Sequence, residues 1–146
     1  MKAAHDLRAA ALVPEASADA MVRLPPIRVR TGASEIAGFL RETGDTRTGV
    51  VPVTFPARWL ALPALRGLIL QLIGGDGFLP VHEGQSFAYE HELRIETDYI
   101  LAVEARRTAK PPRLTLKMAV ATEQGEICAR LETVLRIVPL NLEPAS

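Results

Sequence analysis

Asp45, His82, His91 and Cys128 are the side chains whose types suit proton transfer or nucleophilic attack. Histidine titrates nearest neutrality and suits a general base. Asp45 is a candidate acid by residue type, but it follows Gly44, and stabilising a turn after a helix is the preferred reading. His82 is a candidate base, or else a sheet histidine with a satisfied hydrogen bond. His91 falls in an alternating run with Phe87 and Tyr89 and reads as a half-buried strand position. As metal ligands, His82 and His91 would stand about 30 Å apart on an extended strand. No third ligand is indicated, so no metal site is expected. Cys128 alternates with Glu126 and Arg130, which puts it on the wetter face of a strand. Neither a helix N-terminus nor a histidine partner is indicated there, so the thiol is expected to be structural. Arg47, Arg58 and Arg66, with the small cluster Arg106, Arg107 and Lys110, either fork onto phosphates or stand as solvated charges. The run Gly74-Gly75-Asp76-Gly77 follows a helix instead of preceding one, so it reads as a terminator, not a phosphate loop. No cofactor is expected.

The elements that must position these residues can be read from the hydrophobic period. The chain has 146 residues, 48% of them apolar, enough for one domain with a real core. Seventeen basic residues balance seventeen acidic ones, so no net field draws it to nucleic acid or anionic lipid. A single cysteine excludes a disulfide framework and suits a reducing, cytoplasmic setting. The longest apolar stretch, Trp59 to Ile73, is interrupted by Pro63, Arg66 and Gln71, so a buried helix is expected there and no membrane span.

Residues 1–23, rich in alanine, are expected to be a tail or a loosely docked helix, residues 24–139 the domain, and residues 140–146 a C-terminal tail. Ile27 and Val29 alternate with arginines and predict a short strand. Gly32 to Thr43 predicts an amphipathic helix through Ile36, Phe39 and Leu40, with Glu35 in its first turn. A Gly- and Thr-rich loop follows. Thr54 is an expected N-cap, with Pro56 in the first turn, of a central helix carrying Leu65, Leu68, Ile69, Leu72 and Ile73. With Leu62 and Leu70 added, that helix is apolar nearly all round and expected to be buried on most faces. Pro63 should kink it or mark its true start. After Gly77 the period becomes two, through four runs ending near Ile137. Their short connections predict an antiparallel meander with one dry and one wet face. A long antiparallel sheet curled around one apolar helix is expected, an α+β hot-dog fold, with some other α+β sandwich as the alternative that fits the same pattern.

Three stretches resemble the MaoC-like hot-dog dehydratases. They are Ile36-Ala37-Gly38-Phe39-Leu40-Arg41-Glu42-Thr43-Gly44-Asp45, Val51-Pro52-Val53-Thr54-Phe55-Pro56, and His82-Glu83-Gly84-Gln85-Ser86-Phe87-Ala88-Tyr89. The resemblance spans about residues 24–139. It is nearest to the FAS1-like dehydratase N-terminal type, which includes the substrate-binding subunit of heterodimeric (3R)-hydroxyacyl-ACP dehydratases. Catalytic members carry D-x-N-P-x-H after the first helix. Here Asp45 keeps the aspartate position, while Arg47, Thr48 and Val50 replace the asparagine, proline and histidine.

Dehydrating a 3-hydroxyacyl thioester needs a base at C2, an acid at the leaving hydroxyl and donors on the thioester oxygen. The resemblance implies that Asp45 and His82 are the remaining catalytic candidates. It implies that the segment Phe55, Pro56, Ala57 and Arg58, at the start of the central helix, binds substrate and turns its free N–H groups to the oxygen, and that Tyr89 lines an acyl pocket. It further implies an acyl-CoA or acyl-ACP ligand and a homodimer, or a heterodimer with another hot-dog subunit. The function implied is a dehydratase or hydratase with an incomplete loop. The alternative is a non-catalytic subunit that binds the acyl chain for a catalytic partner. A thioesterase ranks last, because no carboxylate lies between Pro56 and Ile73.

Overall fold

The computed structural model describes residues 19–140. The chain runs β1 (Ala20–Arg23), β2 (Ile27–Arg30), α1 (Ala33–Glu42), a 3-10 helix (Phe55–Ala61) and α2 (Pro63–Ile73). It continues with β3 (Phe78–Tyr89), β4 (Asp98–Ala109), β5 (Pro112–Ala121) and β6 (Ile127–Pro139). All strand pairs are antiparallel, in the order β1-β4-β5-β6-β3, and β2 also pairs with β4. The expected hot-dog arrangement is present: one long curved sheet with the helical segments laid against its dry face.

The sheet begins at Ala20, inside the stretch expected to be tail. Val22 is buried against α2, and the ladder passes the break at Pro25 and Pro26 through the Leu24 N–H, which donates to the Val103 carbonyl. The two prolines lack N–H groups, so they split one edge strand into β1 and β2. Residues 1–18 and 141–146 lie outside the described residues. Leu140 is described, and its N–H donates to the Gly77 carbonyl.

The central helix is in two pieces. Leu62 has extended backbone (ψ 142°) and Pro63 opens α2 as its first residue. Proline disfavours helical backbone in the residue before it, which accounts for the break. Thr54 makes no side-chain cap. α2 is buried on one face only: Leu65, Leu68, Leu72 and Ile73 are buried, while Leu70 is 46% exposed. The expectation of burial on most faces is therefore corrected for the single chain. Gly74, at φ 106°, ends α2, as only glycine does without strain.

Two apolar clusters form the core. The first gathers Ile36 and Leu40 of α1, Phe55 and Trp59, and Tyr99, Leu101, Met118, Val120 and Leu131 of the sheet. The rings of Phe39 and Trp59 both meet Phe55 edge-on, with centroids 5.4 and 5.8 Å away. The second lies under the C-terminal half of α2, with Leu114, Leu116 and Ile137. Among the described residues no helix is long and apolar enough to cross a membrane.

Candidate functional site

The loop from Thr43 to Thr54 joins α1 to the 3-10 helix and carries the positions where the resembled enzymes keep their proton-transfer groups. It is tied down at both ends. The Asp45 N–H donates to the Leu40 carbonyl (2.8 Å), and the Phe55 N–H donates to the Pro52 carbonyl (3.0 Å). Between them, the Tyr89 hydroxyl donates to the Val53 carbonyl at 2.6 Å. Burial pushes the Tyr89 hydroxyl up to about 12, so it stays a donor at neutral pH.

Asp45 is occupied. Its Oδ1 accepts the Arg47 N–H at 2.9 Å, and its carboxylate is gripped by Arg47 Nε (3.0 Å to each oxygen) and Nη2 (2.6 Å). This fork holds the carboxyl down at about 2, mainly through the side-chain hydrogen bonds and next through the backbone one. Such a group is a poor proton donor at neutral pH and, once ionised, a weak base. The turn-stabilising reading of Asp45 is the one its contacts support. Arg47, offered as a phosphate binder, spends its guanidinium on the same fork.

His82 stands elsewhere. It faces Leu135 on β6, just before a bulge that leaves Glu83 out of register. The bulge turns His82 to the helix side of the sheet, yet it remains exposed because β3 is an edge strand. Seven residues of strand, about 23 Å, separate it from Tyr89. No hydrogen bond or ion pair joins His82 to Asp45 among the described residues, so the two catalytic candidates are not brought together.

The expected thioester-oxygen donors are also engaged. The Phe55 and Ala57 N–H groups donate to the Pro52 and Thr54 carbonyls. Pro56 is buried and has no N–H. Arg58 bonds Glu42 Oε2 at 2.8 Å and lies 5.7 Å from the Phe39 ring centre. The segment is seven residues of 3-10 helix, where tight i to i+3 turns close over the first donors. Phe55 and Tyr89 do share the first core cluster, so the structure gathers them but seals Phe55 inside.

Sequence reasoning missed the cleft beside this loop. About 720 Å³ in volume, it is lined by Gly49 and Val50 on one side and by His91, Tyr99, Glu126 and Cys128 on the other. His91 is not a half-buried strand residue. β3 ends at Tyr89, and the Glu90 and His91 N–H groups both donate to the Cys128 carbonyl. The His91 ring then meets Glu126 Oε2 at 3.5 Å. Both side chains are more than half exposed, so solvent screens the pair. Cys128 is 4% exposed, not on the wet face. A register shift between Val120 and Ala121 breaks the alternation, and Cys128 and Ala129 are both buried. Burial first, then the Glu126 and Glu90 charges, push its thiol up, so it is no nucleophile at neutral pH. The signal available in the sequence was Gln124-Gly125, a tight turn that folds Glu126 back towards the end of β3.

The basic cluster does not survive as one. Arg107 points to the dry side and is 2% exposed, whereas Arg106 points outward and places its guanidinium 3.5 Å from Met21 Sδ. Alternation on β4 separates neighbours to opposite faces.

No family model matches the chain, and no curated protein matches it. Solved structures do. An (R)-hydratase from A. caviae involved in PHA biosynthesis is 20% identical, with a TM-score of 0.55, over 86% of this chain and 98% of that one. A hot-dog-like protein from Thermanaerovibrio acidaminovorans is 15% identical with a TM-score of 0.61, over 83% and 84%. The HadBC (3R)-hydroxyacyl-ACP dehydratase complex from Mycobacterium tuberculosis is 14% identical with a TM-score of 0.54, over 82% and 96%. At these identities the likeness shows the hot-dog fold.

Proposed function

We propose that this chain is an acyl-thioester-binding hot-dog subunit of the (R)-3-hydroxyacyl dehydratase or hydratase type, and that a partner subunit supplies the proton-transfer pair. The observation that carries this reading is the Asp45–Arg47 fork, beside Val50 where the resembled enzymes place a histidine. The scaffold is kept while the loop chemistry has lapsed. The surface supports a partner. β3 is a 12-residue edge strand; Leu79 and Val81 on it are 49% and 46% exposed, and Leu79 lines one groove with the exposed Leu70 of α2. Long apolar edges are covered by pairing in proteins that stay soluble. The partner is another hot-dog chain or a second copy, and the carrier is coenzyme A or acyl carrier protein. A thioesterase reading lacks a carboxylate on the 3-10 helix or α2.

The test is hydration of a short enoyl-CoA by the purified chain, with acyl-CoA binding measured by calorimetry. Binding without turnover is the expected result. Turnover by the chain alone that collapses in Asp45→Asn would overturn the proposal.

A further inference from the structure

The outward face of the sheet, away from the helices, carries a row of four alternating charges. Cross-strand register sets Arg23 of β1 opposite Glu104 of β4, Glu104 opposite Lys117 of β5, and Lys117 opposite Glu132 of β6. Neighbouring strands stand about 4.8 Å apart, so the row spans about 14 Å. Arg23 and Glu104 pair at 3.2 Å, whereas Lys117 and Glu132 form no ion pair among the described residues. One row further along, Ala102 of β4 lies opposite Ala119 of β5. These small side chains floor an open cleft of about 550 Å³, with Arg23, Lys117 and Glu132 around it.

We infer that this face docks against the same face of a second copy of the chain, about a two-fold axis running along the strands between β4 and β5. An even row of alternating charges is complementary to its own reversal, which is what such an axis produces. Arg23 then meets the partner's Glu132, and Glu104 meets the partner's Lys117. The same operation lays Ala102 on the partner's Ala119, two small side chains, while Arg130 of β6, which the register sets beside Ala119 at the margin of the same cleft, is held by Glu90 Oε2 at 2.9 Å. On the other side of the charged row it sets Arg106 against the partner's Thr115, which the register places opposite one another within one chain. No like charges face each other in these three rows. This docking leaves β3 free, so it is compatible with edge pairing and would double any edge-paired unit. It does not depend on the reading of the loop chemistry.

Sedimentation equilibrium of the full chain tests it, using Lys117→Glu and Glu104→Lys. Both positions are on the solvent face, and circular dichroism checks that each variant keeps the fold. Each variant alone sets like charges against each other twice per interface, so its mass should fall to half that of the wild type. An equimolar mixture of the two restores every opposite pairing and should recover the full mass. A wild-type mass unchanged by either substitution would overturn the inference. So would two dissociated variants that fail to reassemble on mixing.

Discussion

Tyr89 and Val53 are joined by a hydrogen bond of 2.6 Å from the phenol to the backbone carbonyl. It fastens the end of β3 to the loop that leads into Phe55. Tyr89→Phe keeps the ring and removes the donor, leaving that carbonyl to water. Stability should fall by about 1 kcal/mol, read by urea unfolding. Amide exchange should quicken in residues 50–54 and change little in β4–β6.

The same phenol predicts an alkaline transition. Its folded pKa lies at about 12, above the ordinary value of 10.0. The stability it contributes is therefore complete below pH 10 and is lost as pH rises towards 12. Absorbance titration of tyrosine ionisation should show a component near 12 that Tyr89→Phe removes.

Asp45 behaves in the opposite sense. Its folded pKa is depressed to about 2 from 3.8, so its contribution is present above pH 4 and is lost as pH falls towards 2. Asp45→Asn should flatten that part of the stability–pH curve. It should leave acyl-CoA binding unchanged, because the carboxylate is committed to Arg47.

Thr31 is a buried junction between β2, α1 and the turn before β4. Its hydroxyl bonds the Arg94 carbonyl, accepts the Thr97 N–H at 3.0 Å and lies 3.2 Å from the Thr97 carbonyl. Next to it, Glu96 Oε2 accepts the Ala33 N–H at 2.7 Å and caps α1, whose own N-cap, Gly32, has no side chain to do so. Thr31→Val preserves shape but strands the Thr97 N–H. It should cost about 2 kcal/mol in chemical denaturation, and Thr31→Ser much less.

Gly74→Ala should be costly for two separable reasons. The residue sits at φ 106°, and an added Cβ would lie 2.8 Å from the Phe78 ring. Left-handed backbone and overpacking together should lower stability by about 2–3 kcal/mol, measured by thermal or urea unfolding.

The periodic parts of the fold were legible in the sequence. Spacing at three and four located α1 and the buried face of α2, and spacing at two located β3 to β6, because side-chain direction in a regular element is a local property of the backbone. Wrapping a sheet around an apolar helix followed from those periods. Where the local rule is broken, the reading failed. One slip at Ala121 buries Cys128 against its expected wet face, and one extra residue at Glu83 sets the face of His82; such slips are set by the partner strand. The split at Leu62 was half visible in Pro63, but the 3-10 geometry that closes over Phe55 and Ala57 was not.

The site divides in the same way. The sequence alone sets Asp45 two residues before Arg47, and its resemblance to the MaoC-like enzymes puts Val50 where they carry a histidine. Only the tertiary structure decided that Arg47 turns back on Asp45, that His82 lies far along β3 from the loop, and that His91 meets Glu126 beside Val50. Residue type and order are local facts. Which groups share a cleft depends on contacts between residues tens of positions apart, and strand register and loop closure determine those contacts together.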